Sequence, residues 1–103
     1  MLVTNKYDKD TIVSFKIVNG DEIVAKVVEE TDAGYVINKP CTVMPSQKGL
    51  ALMQSLFTSD LNKNITLDKR HVILHSPTVK DVEDYYIQTT TGIKPVSAGG
   101  IIT

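Results

Sequence analysis

The chain has 103 residues, 42% of them hydrophobic and 22% charged, which is the size and composition of one ordinary globular domain with a single core. Its 11 Lys and Arg against 12 Asp and Glu give a formal charge of −1, so it lacks the broad positive field of a duplex-binding protein and any nucleic-acid site must be local. A single cysteine, Cys41, excludes an internal disulfide, and no apolar run approaches the roughly 18 to 20 residues of a membrane span. Met1 to Lys6 carries no apolar segment that would mark an exported chain, so a cytoplasmic location is expected and the sequon at Asn64-Ile65-Thr66 is set aside.

Residues 11 to 18 (TIVSFKIV) and 22 to 28 (EIVAKVV) are rich in β-branched side chains and flank Asn19-Gly20. That dipeptide readily takes the two positive φ angles of a type I′ turn, so a tight hairpin is expected. Asp32 and Gly34 mark a second turn, and YVINKPCTVMP follows as a third strand. Pro40 lies inside that run and cannot donate to a ladder, which places it at a bulge, an edge or a sharp bend. Residues 45 to 49 (PSQKG) read as a turn. Residues 50 to 59 (LALMQSLFTS) suit a strand or a helix, with strand the preferred reading.

DLNKN at 60 to 64 reads as a loop, and ITLD and HVILHS then flank a tight basic turn containing Lys69, Arg70 and His71. The last third changes period. Thr78 and Asp81 have the spacing of a capping box, and Val79, Val82, Tyr86 and Ile87 follow helical spacing. Lys80 and Asp84 stand four apart as an ion pair would on a helix, which is expected near 78 to 90 and ends at Gly92. Residues 93 to 103 show no periodicity and read as a tail.

The expected fold is all-β with an added helix: a single domain over 1–103, with a five-stranded, strongly bent open barrel over about 11–77 and the helix and tail over 78–103. VSFKIVNGDEIVAKVVEETDAGYVINKP, residues 13 to 40, resembles the first motif of Sm and Sm-like proteins, and ITLDKRHVILHSP, residues 65 to 77, resembles the second. Within that family the chain is most similar to the Sm-like proteins of large tailed bacteriophages, including those of marine cyanobacteria. The resemblance implies a homo-oligomeric ring of about five to seven subunits joined by edge-strand pairing, which on physical grounds would cover the otherwise exposed edge HVILH.

It also implies binding of single-stranded RNA and a part in RNA metabolism or regulation. The aromatic that stacks on a base aligns with Tyr35. The Asn that reads the base edge has its counterpart in Asn38, displaced by one residue, and alternation along a strand then turns it to the opposite face unless a bulge intervenes. The Arg-Gly pair of the second motif aligns with Asp68-Lys69, leaving Lys69, Arg70 and His71 to meet phosphate. The alternative is a ring that keeps the fold for assembly and recruits a protein partner through residues 45 to 64 or the helix.

An enzyme is not expected. Cys41, His71 and His75 form the available nucleophile and imidazole set, and their order fits no catalytic pattern; Cys41 reads as a small buried hydrophobe. No cofactor or metal is expected either, since His71 and His75 on one strand would stand about 13 Å apart.

Overall fold

The computed structural model describes residues 6–91. Six strands and one helix follow in order: β1 (Thr11–Ile17), β2 (Glu22–Glu30), β3 (Gly34–Ser46), β4 (Gly49–Gln54), β5 (Asn64–Asp68), a 3-10 turn at Lys69–His71, β6 (Val72–Pro77) and α1 (Lys80–Thr90). All strand pairs are antiparallel in the order β4-β3-β2-β1-β6, with β5 also on β3. The 13-residue β3 serves two neighbours along one edge. Gly34 to Asn38 pair with β5, and Cys41 to Ser46 pair with β4. The preferred strand reading of residues 50 to 59 holds as far as Gln54, giving six strands rather than five.

The first hairpin differs from a two-residue I′ turn. Gly20 N–H donates to Ile17 carbonyl at 2.8 Å, Ile17 N–H donates to Asp21 carbonyl at 3.0 Å, and only Gly20 of the dipeptide has positive φ, at 93°. This is a type I turn closed by a glycine bulge, and the Asn19 side chain secures it by accepting from Asp21 N–H at 2.9 Å.

Strict alternation along β1 and β2 builds two apolar layers, one on each face of the sheet. Val13, Phe15, Ile23, Ala25, Val27, Tyr35 and Ile37 form the first. Ile12, Val24, Cys41 and Tyr86 form the second, extended by Val43, Leu52 and Val82. The helix therefore covers the face opposite the main core, and Val82 and Tyr86 are the side chains that attach it. Val79 and Ile87, which share the helical spacing, are 66% and 40% exposed.

Two bulges alter which residues face which layer. Between the Lys26–Asn38 and Val24–Cys41 pairs, β3 spends one residue more than β2. The extra residue falls at Lys39-Pro40, where Lys39 has φ of 52°, so the proline sits at a bulge as expected. Cys41 is thereby turned from the Ile37 face to the helix face. The backbone groups released there meet one hydroxyl: Tyr86 donates toward the carbonyls of Asn38 (3.0 Å) and Lys39 (2.8 Å) and accepts from Lys26 N–H (3.2 Å). Between the Val27–Ile37 and Glu29–Val36 pairs the surplus lies on β2, at Val28.

The helix begins at Lys80, and the anticipated capping box does not form. Thr78 instead shares a hydrogen bond with Ser14 at 2.8 Å, and its N–H donates to Ile12 carbonyl, tying the chain to β1 before the helix starts. Val79 occupies the cap position without a side-chain bond. The Lys80–Asp84 pair is present at 2.6 Å. Gly92 and the tail lie outside the described residues. No helix among the described residues is long and apolar enough to cross a membrane.

Candidate nucleic-acid interface

Two turns distant in sequence meet at one end of the sheet because β5 pairs with the start of β3. Gly34 lies opposite Asp68, and Lys69 N–H donates to Ala33 carbonyl at 3.0 Å. This approach needs glycine: a Cβ at position 34 would stand 2.6 Å from Leu67 carbonyl oxygen. Thr31 braces the first turn, its N–H donating to Gly34 carbonyl at 2.8 Å and its hydroxyl accepting from Gly34 N–H at 3.1 Å.

The basic turn is a single 3-10 turn capped by Asp68, whose carboxylate accepts from Arg70 N–H at 2.8 Å. The same carboxylate takes the Arg70 guanidinium through Nε at 3.2 Å and Nη2 at 2.8 Å. These bonds hold the Asp68 carboxyl down to about 2. Arg70 remains 84% exposed. His71 is exposed, and its carbonyl accepts from Val18 N–H at 2.9 Å, docking the turn on the first hairpin.

Lys69 points the other way, into the sheet. Its Nζ is 3.0 Å from Glu30 Oε2 and 5.2 Å from the centre of the Tyr35 ring. The Glu30 side chain is 7% exposed against 32% for Lys69, so the lysine neutralises a carboxylate that would otherwise be costly to bury. Tyr35 is 3% exposed, with Phe15, His75 and Tyr7 around it at centroid distances of 4.9, 5.8 and 6.4 Å. Tyr7 is fastened at both ends, its backbone N–H to Glu30 Oε1 at 3.4 Å and its hydroxyl to His75 Nδ1 at 2.6 Å. Burial raises the Tyr35 hydroxyl pKa, with the Glu30 charge adding to it; burial also leads for Tyr7, followed by Tyr35 and Glu30. Both remain protonated donors at neutral pH.

Of the residues anticipated from sequence, Tyr35, Lys69, Arg70 and His71 gather at this end, while Asn38 does not join them. The bulge that could have turned Asn38 comes one residue too late, so it faces away from Tyr35 and Ile37 and donates to the Asn64 side chain at 3.3 Å. Glu30, Tyr7 and His75 belong to the cluster and were missing from the expected site. Counting by twos from Val27 selects Glu29 for the inner face, and only the Val28 bulge brings Glu30 there instead.

Cys41 is apart from both histidines, on the helix face, and burial pushes its thiol up to about 11. No cluster of three or more His, Cys, Asp or Glu suited to a metal ion occurs among the described residues. No protein-family model matches the chain, and no curated protein matches it either.

Proposed function

We propose that the chain is an Sm-like subunit with a strongly bent, open barrel, of the kind found in large tailed bacteriophages. In this reading about five to seven copies close a ring, β5 of one pairing with β6 of the next, and the ring binds single-stranded RNA at its pore. The observation that carries the reading is a pair of half-used strands. Among the described residues β5 pairs only with β3 and β6 only with β1, so each leaves one edge of backbone donors and acceptors outside any ladder; β4, paired only with β3, is a third edge that this ring leaves open. Head-to-tail pairing satisfies both edges in every copy. It would also cover Ile73 and Leu74 on β6, which are 58% and 64% exposed.

A ring of this kind collects a copy of both turns from each subunit around its centre. Arg70 is the cation best placed for phosphate, because a pair as exposed as Arg70–Asp68 is screened by water and readily exchanges its carboxylate for another anion. Lys69 is committed to Glu30 and orients the site. A second reading, a ring that docks a protein partner, is favoured by Met44, Leu50, Met53, Leu56 and Phe57, which are 38 to 71% exposed on and just beyond the β3–β4 hairpin.

Light scattering followed by fluorescence anisotropy with labelled uridine-rich and adenine-rich RNAs at two salt concentrations separates these readings. The RNA reading expects an assembly several times the 11.3 kDa chain mass and affinity that falls with salt and with Arg70→Glu. A stable monomer refutes the ring. A ring that binds neither RNA, yet retains a specific protein after nuclease treatment, replaces the RNA reading with the second one.

A further inference from the structure

The cluster beneath Tyr7 has more polar structure than a simple core needs. Tyr7 places a flat aromatic ring beside Tyr35, at 6.4 Å and tilted by 50°, with its backbone N–H on Glu30 and its hydroxyl on His75. A nucleobase has the same attributes, a flat ring with a polar edge. The two hydrogen bonds fastening Tyr7 belong to a segment just ahead of β1, with no strand ladder of its own. Such a contact can open without disturbing the sheet.

Removing Tyr7 from this place uncovers the Tyr35 ring and the Glu30 carboxylate, with Lys69 Nζ between them. Resting on the RNA reading above, we infer that Tyr7 holds the place of a nucleobase in the empty protein and that the base admitted in its stead is guanine. A carboxylate offers two adjacent acceptors and no donor. Guanine is the base whose pairing edge presents two adjacent donors, N1–H and N2–H, and its neighbouring O6 accepts from an ammonium. Uracil flanks its one donor with two carbonyls, while adenine and cytosine set an amine beside a bare ring nitrogen. Glu30 keeps lone pairs for both guanine donors: Oε2 has one engaged by Lys69 at 3.0 Å, and Oε1 is released as the Tyr7 backbone leaves. Lys69 stays paired throughout, so the buried carboxylate never loses its counter-ion.

The test uses the full chain and four fluorescein-labelled RNA hexamers: all-adenine, all-uridine, alternating adenine and guanine, and alternating adenine and inosine. The guanine RNA should bind at least about fivefold more tightly than the first two, the low end of discrimination by one bidentate pair. Inosine, which lacks the N2 amine, should lose most of that advantage with the protein unaltered. Glu30→Gln should abolish the preference for guanine RNA over all-adenine RNA, and Tyr7→Ala should strengthen binding of every hexamer. Equal binding of all four RNAs overturns the guanine assignment and leaves RNA binding standing, whereas binding of none overturns the RNA reading itself. Unchanged or weaker binding by Tyr7→Ala overturns the gate.

Discussion

Replacing Tyr86 by Phe removes one oxygen atom and changes little else in packing. Tyr86 is 1% exposed, and its hydroxyl is shared among Lys26 N–H, Asn38 carbonyl and Lys39 carbonyl at 3.2, 3.0 and 2.8 Å. The single hydroxyl proton can serve one carbonyl fully or divide itself between the two, so the variant strands one donor and about one acceptor at the bulge. An unsatisfied buried polar group costs about 1–3 kcal/mol, and the low end applies to a partly buried bulge. The expected loss is about 2–3 kcal/mol. In a domain of this size that lowers Tm by roughly 10 °C or more. Urea unfolding followed by circular dichroism, at one fixed protein concentration because self-association would add its own stabilisation, measures this directly. A loss below about 0.5 kcal/mol would refute the role assigned to the hydroxyl and mean that water or the bulge itself satisfies those groups.

Gly34→Ala should destabilise by about 1–3 kcal/mol in the same assay, because its Cβ would meet Leu67 carbonyl oxygen at 2.6 Å and backbone cannot yield as a side chain does; wild-type stability would show that the two turns are not tightly apposed. Asp68 has a folded-state pKa below its ordinary value, so it stabilises the fold at pH above the ordinary carboxylate range and that contribution disappears as pH falls from about 4 toward 2. A carboxyl NMR titration should place its midpoint near 2, and a midpoint near 4 would remove Arg70 as its partner. Cys41, buried with its thiol raised to about 11, should resist a thiol reagent at pH 8 in the native protein and react promptly in urea. Prompt native labelling would contradict the packing of the helix over it.

The strands, their hydrophobic faces and the two turns were largely legible in the chain because they depend on local properties. These are β-branched runs and turn residues such as Gly20, Asp32 and Gly34. Pro40 likewise announced an irregularity, since a missing N–H is a property of the residue alone. The capping box failed for a complementary reason: Thr78 fits a cap locally, but Ser14, which is 64 residues away in sequence, offers its hydroxyl a better partner.

Tertiary structure decided which residues share a face beyond each bulge. A bulge is the surplus of one strand over its partner, a relation between two segments, so Val28 carries no local mark of it, and Pro40 marks an irregularity beside Lys39 without fixing which residues it turns to which face. One surplus residue substitutes Glu30 for Glu29 on the inner face. Another turns Cys41 toward the helix while leaving Asn38 away from Tyr35. Sequence therefore determined that a β domain with a basic turn and a nearby tyrosine would form, and long-range pairing determined that the turn's lysine would be spent on a buried glutamate beneath an aromatic cover.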